Sequence, residues 1–482
     1  MASVIKRTIK GGAGFLTANL IAKGFGFLFI VVTSRFLGPA EFGVLALGLS
    51  VTAVVRKLAS YGLPNTIQRF LSGDEEKCST QIYGAILLIG GVIAALSAAG
   101  LYVVAPWLST QFFDEPALVT PLRVLSLGIF VGTGWTLLRA VLQAQEQVKK
   151  IVVADSVRSV GKVILALLAF LWIRTAAAAA WAFVAAFGLG AIVASQYVRR
   201  LEIQPSIEID RDEVLRVVRY STPLVVVGFS YLLAQQADRF MLGWLADAEQ
   251  VGLYTVTSKL AMVMSTLHGA LASIFKPIAS EAYRSNFRGE MRDAYLFVSK
   301  WVGAVNGVAL LGFAGGGLWI LGIFGTGYAN IITYHVLLIL SALYFVGTWV
   351  GPTGALLQVT DGHRIALANT IAFVGLNVLL NYILIQYYGV RGAAFATFMS
   401  GVFRNTLQVC EIAYWYGFSP FVRKNITILT MTVLGVGGIL FTGPGGMGIG
   451  VAFVFTSLLV GYVLWTATEK EKNTIIDLAP IL

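Results

Sequence analysis

Nine positively charged residues lie inside stretches of this sequence that are otherwise apolar: Lys23, Arg56, Lys57, Arg139, Arg158, Lys162, Arg239, Lys259 and Arg404. In the same stretches we count two acidic residues, Asp155 and Asp238. A charged side chain at the centre of a membrane costs about 2.5–3.5 kcal/mol or more, so such residues usually mark the path of a ligand or an ion. The surplus of cations therefore predicts a negatively charged ligand.

Six of these cations are the predicted ligand-binding residues: Arg404, Lys259, Lys162, Arg56, Lys57 and Lys23. At a rise of about 1.5 Å per residue, the first three lie roughly 12–18 Å from the ends of their apolar stretches, near the middle of a membrane. The other three lie in the inner halves of theirs. Arginine offers phosphate a planar fork of donors, and lysine offers a mobile point charge. The residue types therefore fit a phosphate group.

Local explanations are available for the remaining charges. Arg139 lies near the end of its stretch, and we expect it to extend towards the lipid head groups. Asp155 and Arg158 are three residues apart and can pair on one helix face. For Asp238 two interpretations stay open: it binds a coupling ion, or it pairs with a neighbouring cation, with Arg239 beside it, and stabilises a corner between two helices.

These residues must be positioned by membrane-spanning helices, because 57% of the chain is hydrophobic and only 12% is charged. A span needs about 20 predominantly apolar residues. The sequence predicts fourteen spans, numbered in chain order, at residues 14–37, 42–66, 82–105, 121–143, 151–173, 176–197, 220–245, 251–276, 296–314, 331–357, 365–386, 392–414, 426–442 and 449–467. A surface helix is expected at Arg211–Arg219. The predicted fold class is an all-α polytopic membrane protein.

The distribution of Lys and Arg between the predicted spans gives the orientation. With the N-terminus inside, 22 of the 35 Lys and Arg residues fall in cytoplasmic segments, and only Arg35, Arg123, Arg174 and Arg391 fall outside. Positive charges accumulate on the cytoplasmic side of membrane proteins. Both termini are therefore predicted to be cytoplasmic, and the basic residues do not indicate nucleic-acid binding.

A weak internal repeat predicts two lobes. The segment Arg35–Leu45 is similar to Arg239–Tyr254, and both contain an Arg-Phe pair and a later glycine between apolar residues. Six spans per repeat give two lobes of the same orientation, an arrangement typical of carriers that enclose a central cavity. We predict an N-terminal lobe at 1–215 with spans 1–6 and a cytoplasmic linker, a C-terminal lobe at 216–415 with spans 7–12, and spans 13–14 with a cytoplasmic tail at 416–482.

Several kinds of chemistry are not indicated. The histidines and the two cysteines have no metal-ligand spacing, and no GxxxxGK[ST] loop for nucleotide phosphates is present in the sequence. We find no nucleophile with its base, and the loops are too short for a catalytic domain outside the membrane. The sequence therefore predicts no enzyme activity, no cofactor and no metal.

Three segments carry a resemblance to a known family. Arg35–Gly43 resembles the span 1–2 signature of Wzx-type polysaccharide flippases. Ala237–Tyr254 is similar to their span 7–8 corner, and Asn377–Ala394 to their span 11–12 junction. The segments occur in the right order, and the similarity extends over the full length. The chain is identified as a member of the multidrug/oligosaccharidyl-lipid/polysaccharide (MOP) exporter superfamily.

The resemblance implies a flippase of the cell (plasma) membrane. Its substrate would be a polyprenyl- or dolichyl-(pyro)phosphate-linked oligosaccharide, moved from the cytoplasmic to the outer leaflet for surface polysaccharide, S-layer or protein glycan assembly. Other expected partners are membrane lipids and the glycosyltransferases, oligosaccharyltransferase or polymerase of the same pathway, with no nucleic acid. Rival interpretations are an antiporter of organic cations or drugs like the MATE transporters, a peptidoglycan-precursor flippase, and a membrane enzyme acting on lipid-linked glycans.

Overall fold

The structure is a computed structural model that describes residues 2–71, 76–201, 205–206, 210–285, 287–360, 362–469 and 471. Side chains are described from residue 22 onward, apart from 76–79, 226–231, 233–234 and 363. Throughout these ranges the ordered elements are helices, and no strand is formed. The chain divides into two compact units, residues 1–252 and 253–482, which are described separately.

The first unit contains seven helices and the first turn of an eighth: α1 (Ala2–Ala59), α2 (Leu63–Phe70), α3 (Glu76–Trp107), α4 (Val119–Ala144), α5 (Val148–Phe170), α6 (Ala176–Val198) and α7 (Arg211–Leu245). Predicted spans 1 and 2 are the two halves of α1. They meet at Gly38, whose φ of 75° is outside the helical region, and at Pro39, which lacks a backbone N–H. The expected surface helix at Arg211–Arg219 is continuous with span 7 in α7.

The core of the first unit lies among α2 to α6. Leu63, Ile82, Trp135 and Phe187 belong to one buried apolar cluster, to which Val217 of α7 also contributes. The cluster fixes how α4, α5 and α6 face one another. These three helices carry most of the candidate site described below.

The second unit continues with eight further helices after α8 (Ala248–Met262): α9 (Ser265–Arg284), α10 (Arg288–Gly322), α11 (Ile331–Trp349), α12 (Thr353–Val359), α13 (His363–Tyr388), α14 (Val390–Tyr416), α15 (Arg423–Thr442) and α16 (Gly446–Trp465). Predicted span 10 is interrupted at Gly351, which has a φ of 90° and precedes Pro352. The hydroxyl groups of Tyr295 and Ser299 donate hydrogen bonds to the carbonyls of Val350 and Trp349. These bonds satisfy carbonyl groups that a helix end leaves without helical partners.

Every predicted span corresponds to helix, and the all-α fold class is confirmed. Within the described residues nine helices are long and apolar enough to cross a membrane, and the first of them contains spans 1 and 2. The remaining spans are α5, α7, α8 with α9, and α14, which are not among the nine. These are the helices that carry Lys162, Asp238, Lys259 and Arg404. Candidate residues therefore lie in both groups of helices, because Lys23, Arg56 and Lys57 belong to α1.

The repeated glycines of the sequence meet in the first unit. A Cβ atom at Gly43 of α1 would overlap the carbonyl oxygen of Ala248 and lie 3.0 Å from the amide nitrogen of Gly252. A Cβ atom at Gly252 would overlap the carbonyl oxygen of Pro39 and lie 3.1 Å from the amide nitrogen of Gly43. Only glycine fits at either position, so the repeat preserves a contact between two backbones.

Candidate functional site

Four cations and four aromatic rings come together in the first unit. We call this group the cation–aromatic cluster, and its members are Arg56, Arg139, Arg158, Lys162, Phe29, Trp135, Phe183 and Phe187, together with the carboxylate of Asp155. They come from both halves of α1 and from α4, α5 and α6. Helix packing thus assembles the cluster from residues far apart in the sequence.

The ring of Phe187 is shared by two guanidinium groups. The Cζ atom of Arg56 lies 4.9 Å from the centroid of this ring, and that of Arg158 lies 5.0 Å from it. Arg158 also lies 5.4 Å from the ring of Trp135. The two guanidinium carbons are therefore at most about 10 Å apart, where two like charges repel by about 1.7 kcal/mol at an effective dielectric constant of 20. Their attraction to the negative face of the ring offsets part of this repulsion.

Lys162 extends the cluster along α5. Its Nζ atom lies 4.6 Å from the ring centroid of Phe29 and 6.0 Å from that of Phe183. Phe183 and Phe187 are four residues apart on α6, as Arg158 and Lys162 are on α5. Residues at this spacing lie on the same face of a helix, so a cationic face of α5 packs on an aromatic face of α6. This matched spacing is a signal that the sequence contains and that could have identified the cluster.

Asp155 is the carboxylate of the cluster, and it contacts two arginines. Its Oδ1 atom lies 3.5 Å from Nη2 of Arg158, and its Oδ2 atom accepts a hydrogen bond of 3.1 Å from Nε of Arg139. The predicted pair between Asp155 and Arg158 is confirmed. Arg139, for which we expected a local role rather than ligand binding, pairs with this carboxylate of the neighbouring helix.

The positive charge of Arg56 and Arg158 is incompletely compensated. In the described part of the chain, Arg56 has no carboxylate within 4.0 Å, and Arg158 shares Asp155 with Arg139. The Nε atom of Arg158 is buried and donates no hydrogen bond to any described group. A buried donor without a partner costs about 1–3 kcal/mol, a penalty that a bound acceptor would remove. The arrangement therefore favours binding of an anion with several acceptor oxygens.

Two glycines make room for these guanidinium groups. A Cβ atom at Gly132 of α4 would lie 3.0 Å from Cδ and 3.1 Å from Nη1 of Arg56. A Cβ atom at Gly190 of α6 would lie 3.0 Å from Cβ of Arg158. The absence of side chains at these positions lets both arginines lie against Phe187 rather than between the helices.

The other predicted residues of the first unit lie outside the cluster. Lys23 and Lys57 have exposed side chains, although Lys57 directly follows Arg56. Asp238 and Arg239 are half-buried on α7, and Nη1 of Arg239 donates a hydrogen bond of 2.8 Å to Gln236. Of the six predicted ligand-binding residues, the first unit brings together Arg56 and Lys162, and it adds Arg139 and Arg158, which the sequence had assigned to local roles.

The second unit places Arg404 in a line of polar groups between α13 and α14. The Cζ atom of Arg404 lies 4.5 Å from the ring centroid of Phe373. On one side of this contact Asn369 donates a hydrogen bond of 2.8 Å to Oε2 of Glu411, and on the other Asn377 donates one of 3.3 Å to Thr397. We call this line the polar seam. Glu411 lies inside predicted span 12, so the count of two intramembrane acids was wrong and omitted it.

Lys259 is the remaining cation of the second unit. It is half-buried in the last turn of α8, just before the helix is interrupted between α8 and α9. The prediction that Lys259 and Arg404 bind the ligand stays a prediction.

A small acidic pocket of the first unit lies near the bend of α1 at Gly38 and Pro39. Its volume is 260 Å³, and its lining includes Glu41, Glu115, Asp247 and Glu249. Partial burial and the neighbouring carboxylates of Asp247 and Glu41 raise the pKa of Glu115, although the N–H of Ala117 opposes this effect. Among the described side chains, no three His, Cys, Asp or Glu residues are arranged to hold a metal ion.

Comparisons with known proteins agree with this architecture. The model of a family described as polysaccharide biosynthesis protein matches residues 9–283, which is more than half of the chain. The chain belongs to this family. The predicted resemblance to polysaccharide flippases of the MOP superfamily is thereby confirmed.

Two relatives and one solved structure are the most informative. An uncharacterized membrane protein of Methanocaldococcus jannaschii is 22% identical over 403 residues, which cover 80% of this chain and 93% of the relative. The succinoglycan biosynthesis transport protein ExoT of Rhizobium meliloti is 25% identical over 262 residues, or 52% of this chain and 50% of that relative. The lipid II flippase MurJ, in an inward closed conformation, matches with a TM-score of 0.74 and 13% identity over 92% of this chain and 97% of MurJ. At this identity MurJ shows the fold alone.

Proposed function

We propose that this protein translocates a polyprenyl-(pyro)phosphate-linked oligosaccharide from the cytoplasmic to the outer leaflet of the cell membrane by alternating access. The glycan would serve cell-surface polysaccharide, S-layer or protein glycan assembly. The proposal is supported by membership of a polysaccharide biosynthesis family and by a relative named as a succinoglycan transport protein. The observation that carries it is the positive charge of Arg56 and Arg158 over one aromatic ring.

The cluster suits a phosphate inside a membrane. Its guanidinium groups lie near one aromatic ring and carry several donors, and phosphate oxygens accept such donors in pairs. The dielectric constant between helices is low, so each contact is stronger than in water. In this proposal Arg56, Arg158 and Lys162 bind the phosphate, and Asp155 holds Arg158 and Arg139 in place. Arg404 and Lys259 of the second unit stay predicted ligand-binding residues.

Transport would follow from a change in which side of the membrane the site faces. The head group would enter from the cytoplasmic side while the lipid tail stays in the bilayer. Alternating access then exposes the same site to the outside. A ligand drives such a change only through different affinities for the two states, so the phosphate contacts must differ between them. Asp238 stays a candidate for a coupled ion, with pairing to a neighbouring cation as the other interpretation.

The test is transbilayer movement of a lipid-linked oligosaccharide in proteoliposomes. A membrane-impermeant periodate reagent added outside oxidises accessible sugars, and the accessible fraction of the glycolipid is followed with time. Wild-type protein should raise this fraction above the half expected for a static bilayer. The double variant R56Q/R158Q should abolish the rise. The control is R123Q. Arg123 of α4 also lies over an aromatic ring, with its Cζ atom 5.1 Å from the ring centroid of Tyr102, but it is outside the cluster.

Each rival interpretation gives a different result in this assay. An organic-cation antiporter would leave the glycolipid static and take up a cationic dye, which the positive cluster disfavours. A peptidoglycan-precursor flippase would move that precursor and no other glycolipid of the panel. A membrane enzyme would change the chemical structure of the glycolipid instead of its leaflet. Full glycolipid movement by R56Q/R158Q would refute the role of the cluster.

The orientation is part of the same proposal. Both termini lie in the cytoplasm, as the distribution of Lys and Arg indicates. A reporter inserted in the connection between α3 and α4 should then score as external, and one inserted between α9 and α10 as cytoplasmic. The opposite result at either position would reverse the predicted direction of transport.

A further inference from the structure

An apolar groove lies between the end of α5 and the first half of α6. Its volume is 560 Å³, and its lining includes Leu165, Ala169, Trp172, Ala178, Trp181 and Ala185. The surrounding surface is also apolar and exposed: Leu168, Leu171, Ile173 and Ile192 each have more than half of their surface accessible. A helical surface of this kind faces the hydrocarbon of the membrane.

The groove has the direction of a lipid chain and is shorter than one leaflet. It runs along both helices, from Trp172 and Ala178 near the α5–α6 connection to Leu165 and Ala185. At a rise of about 1.5 Å per residue this distance is about 10 Å. One leaflet of the hydrocarbon core is about 15 Å thick. The groove therefore stays within a single leaflet, on the side of the α5–α6 connection.

The end of the groove at the α5–α6 connection carries a positive charge. Arg174 follows Ile173 and precedes Thr175, which both line the groove. Its side chain is exposed, and its Cζ atom lies 5.4 Å from the ring centroid of Phe36. In the described part of the chain no carboxylate lies within 4.0 Å of Arg174. The carboxylate of Glu41 accepts a hydrogen bond of 2.7 Å from the N–H of Ala176 at the start of α6.

We propose that this groove binds one hydrocarbon chain of a phosphate-headed membrane phospholipid, with Arg174 contacting the phosphate. The alanines leave the space that the chain fills, and the two tryptophans flank it. Tryptophan is favoured at this depth because its ring has an apolar body and a polar N–H. A phospholipid fits better than the polyprenyl lipid of the proposed substrate, because a polyprenyl chain is longer than one leaflet. The inference does not depend on the proposed function.

Native mass spectrometry tests the proposal with phosphatidylglycerol as the probe. Wild-type protein in detergent micelles is titrated with this lipid, and the number of lipids retained after removal of the detergent is counted. Wild type should retain one lipid more than A178F/A185F, in which two rings fill the groove. The matched control is A95F, an exposed alanine on α3 away from the groove, which should retain the same number as wild type. Should the double variant not fold, A185W, changed at an exposed position, carries the same expectation.

Arg174 is tested in the same titration. R174A should raise the lipid concentration for half-occupancy about tenfold, and R174K should restore most of the affinity, because a point charge replaces another. Equal retention by wild type and the filled variant would overturn the proposal. Tighter retention of polyprenyl phosphate than of phosphatidylglycerol would overturn the choice of occupant. An unchanged lipid concentration for half-occupancy in R174A would show that Arg174 does not contact the phosphate.

Discussion

The two units stabilise intramembrane polar groups in different ways. In the cation–aromatic cluster of the first unit, Arg56 and Arg158 lie over Phe187, and one carboxylate serves Arg139 and Arg158. In the polar seam of the second unit, neutral amides and hydroxyls supply most of the hydrogen bonds. Asn369 donates a hydrogen bond to Glu411, and Asn377 donates one to Thr397.

This difference bears on which unit is the better candidate for binding an anion. Hydrogen bonds between helices in a membrane contribute about 0.6 kcal/mol on average, and a seam of such pairs mainly fixes packing. Two arginines that share one carboxylate, with Arg56 nearby, retain a positive potential, which ring faces reduce only in part. The first unit is therefore the stronger candidate for the anion site, although the sequence also placed Lys259 and Arg404 among the candidates.

The largest expected effect comes from removing the shared carboxylate. D155N should destabilise the protein by about 1.5–3 kcal/mol, because it leaves two half-buried arginines without their counter-ion. The matched change in the seam is E411Q, which keeps an acceptor for Asn369 and should cost about 1 kcal/mol or less. Thermal unfolding in detergent measures both. Equal losses would contradict the distinction between the cluster and the seam.

A smaller effect is expected from the glycine that makes room for Arg56. G132A would place a methyl group 3.0 Å from Cδ of Arg56 and displace its guanidinium group from Phe187. Transport should fall on the order of tenfold, equivalent to about 1.4 kcal/mol of lost phosphate binding. The control is G134A on the same helix, where a Cβ atom would meet nothing within 4 Å. Normal transport by G132A would show that the position of Arg56 is not important.

Ring contacts can be compared directly between the two units. The free energy of unfolding can be measured in double-mutant cycles with F187L and R158M in the first unit, and with F373L and R404M in the second. Each cycle isolates one cation–π pair. Each coupling energy should be about 0.5–2 kcal/mol, the range for partly desolvated pairs. A third cycle with F187L and R56M should give a similar value, because Arg56 lies at nearly the same distance from Phe187. A coupling energy near zero in that cycle would show that Arg56 and Phe187 do not interact.

The smallest effect concerns pH at the acidic pocket. Because the pKa of Glu115 is raised from its ordinary value of 4.5, the folded protein binds this proton more tightly than the unfolded chain does. The associated stability is present below the ordinary pKa and is lost as the pH rises through the raised one. E115Q should therefore unfold at a slightly higher temperature than wild type at pH 7, and this difference should vanish near pH 4. E281Q, a change of an exposed carboxyl group, is the control.

Much of the fold could be predicted because a membrane restricts the choice of structure. A chain in lipid must satisfy its own backbone groups, so apolar runs of about 20 residues become helices. The spans interrupted at Gly351 and between α8 and α9 were predicted as single spans, since hydropathy does not register a local break. The pair of Asp155 and Arg158 was also predictable, because both residues lie on one helix face.

The sequence by itself determined the helical spans and the excess of positive charge within them, because both depend on local composition. Only the tertiary structure decided which cations meet. Arg56 and Lys57 are adjacent, yet one lies over Phe187 and the other is exposed. An α-helix turns about 100° per residue, so neighbouring side chains point in different directions. Which direction meets an aromatic ring depends on the packing of α1 against α6, and that packing is a property of the assembled helices.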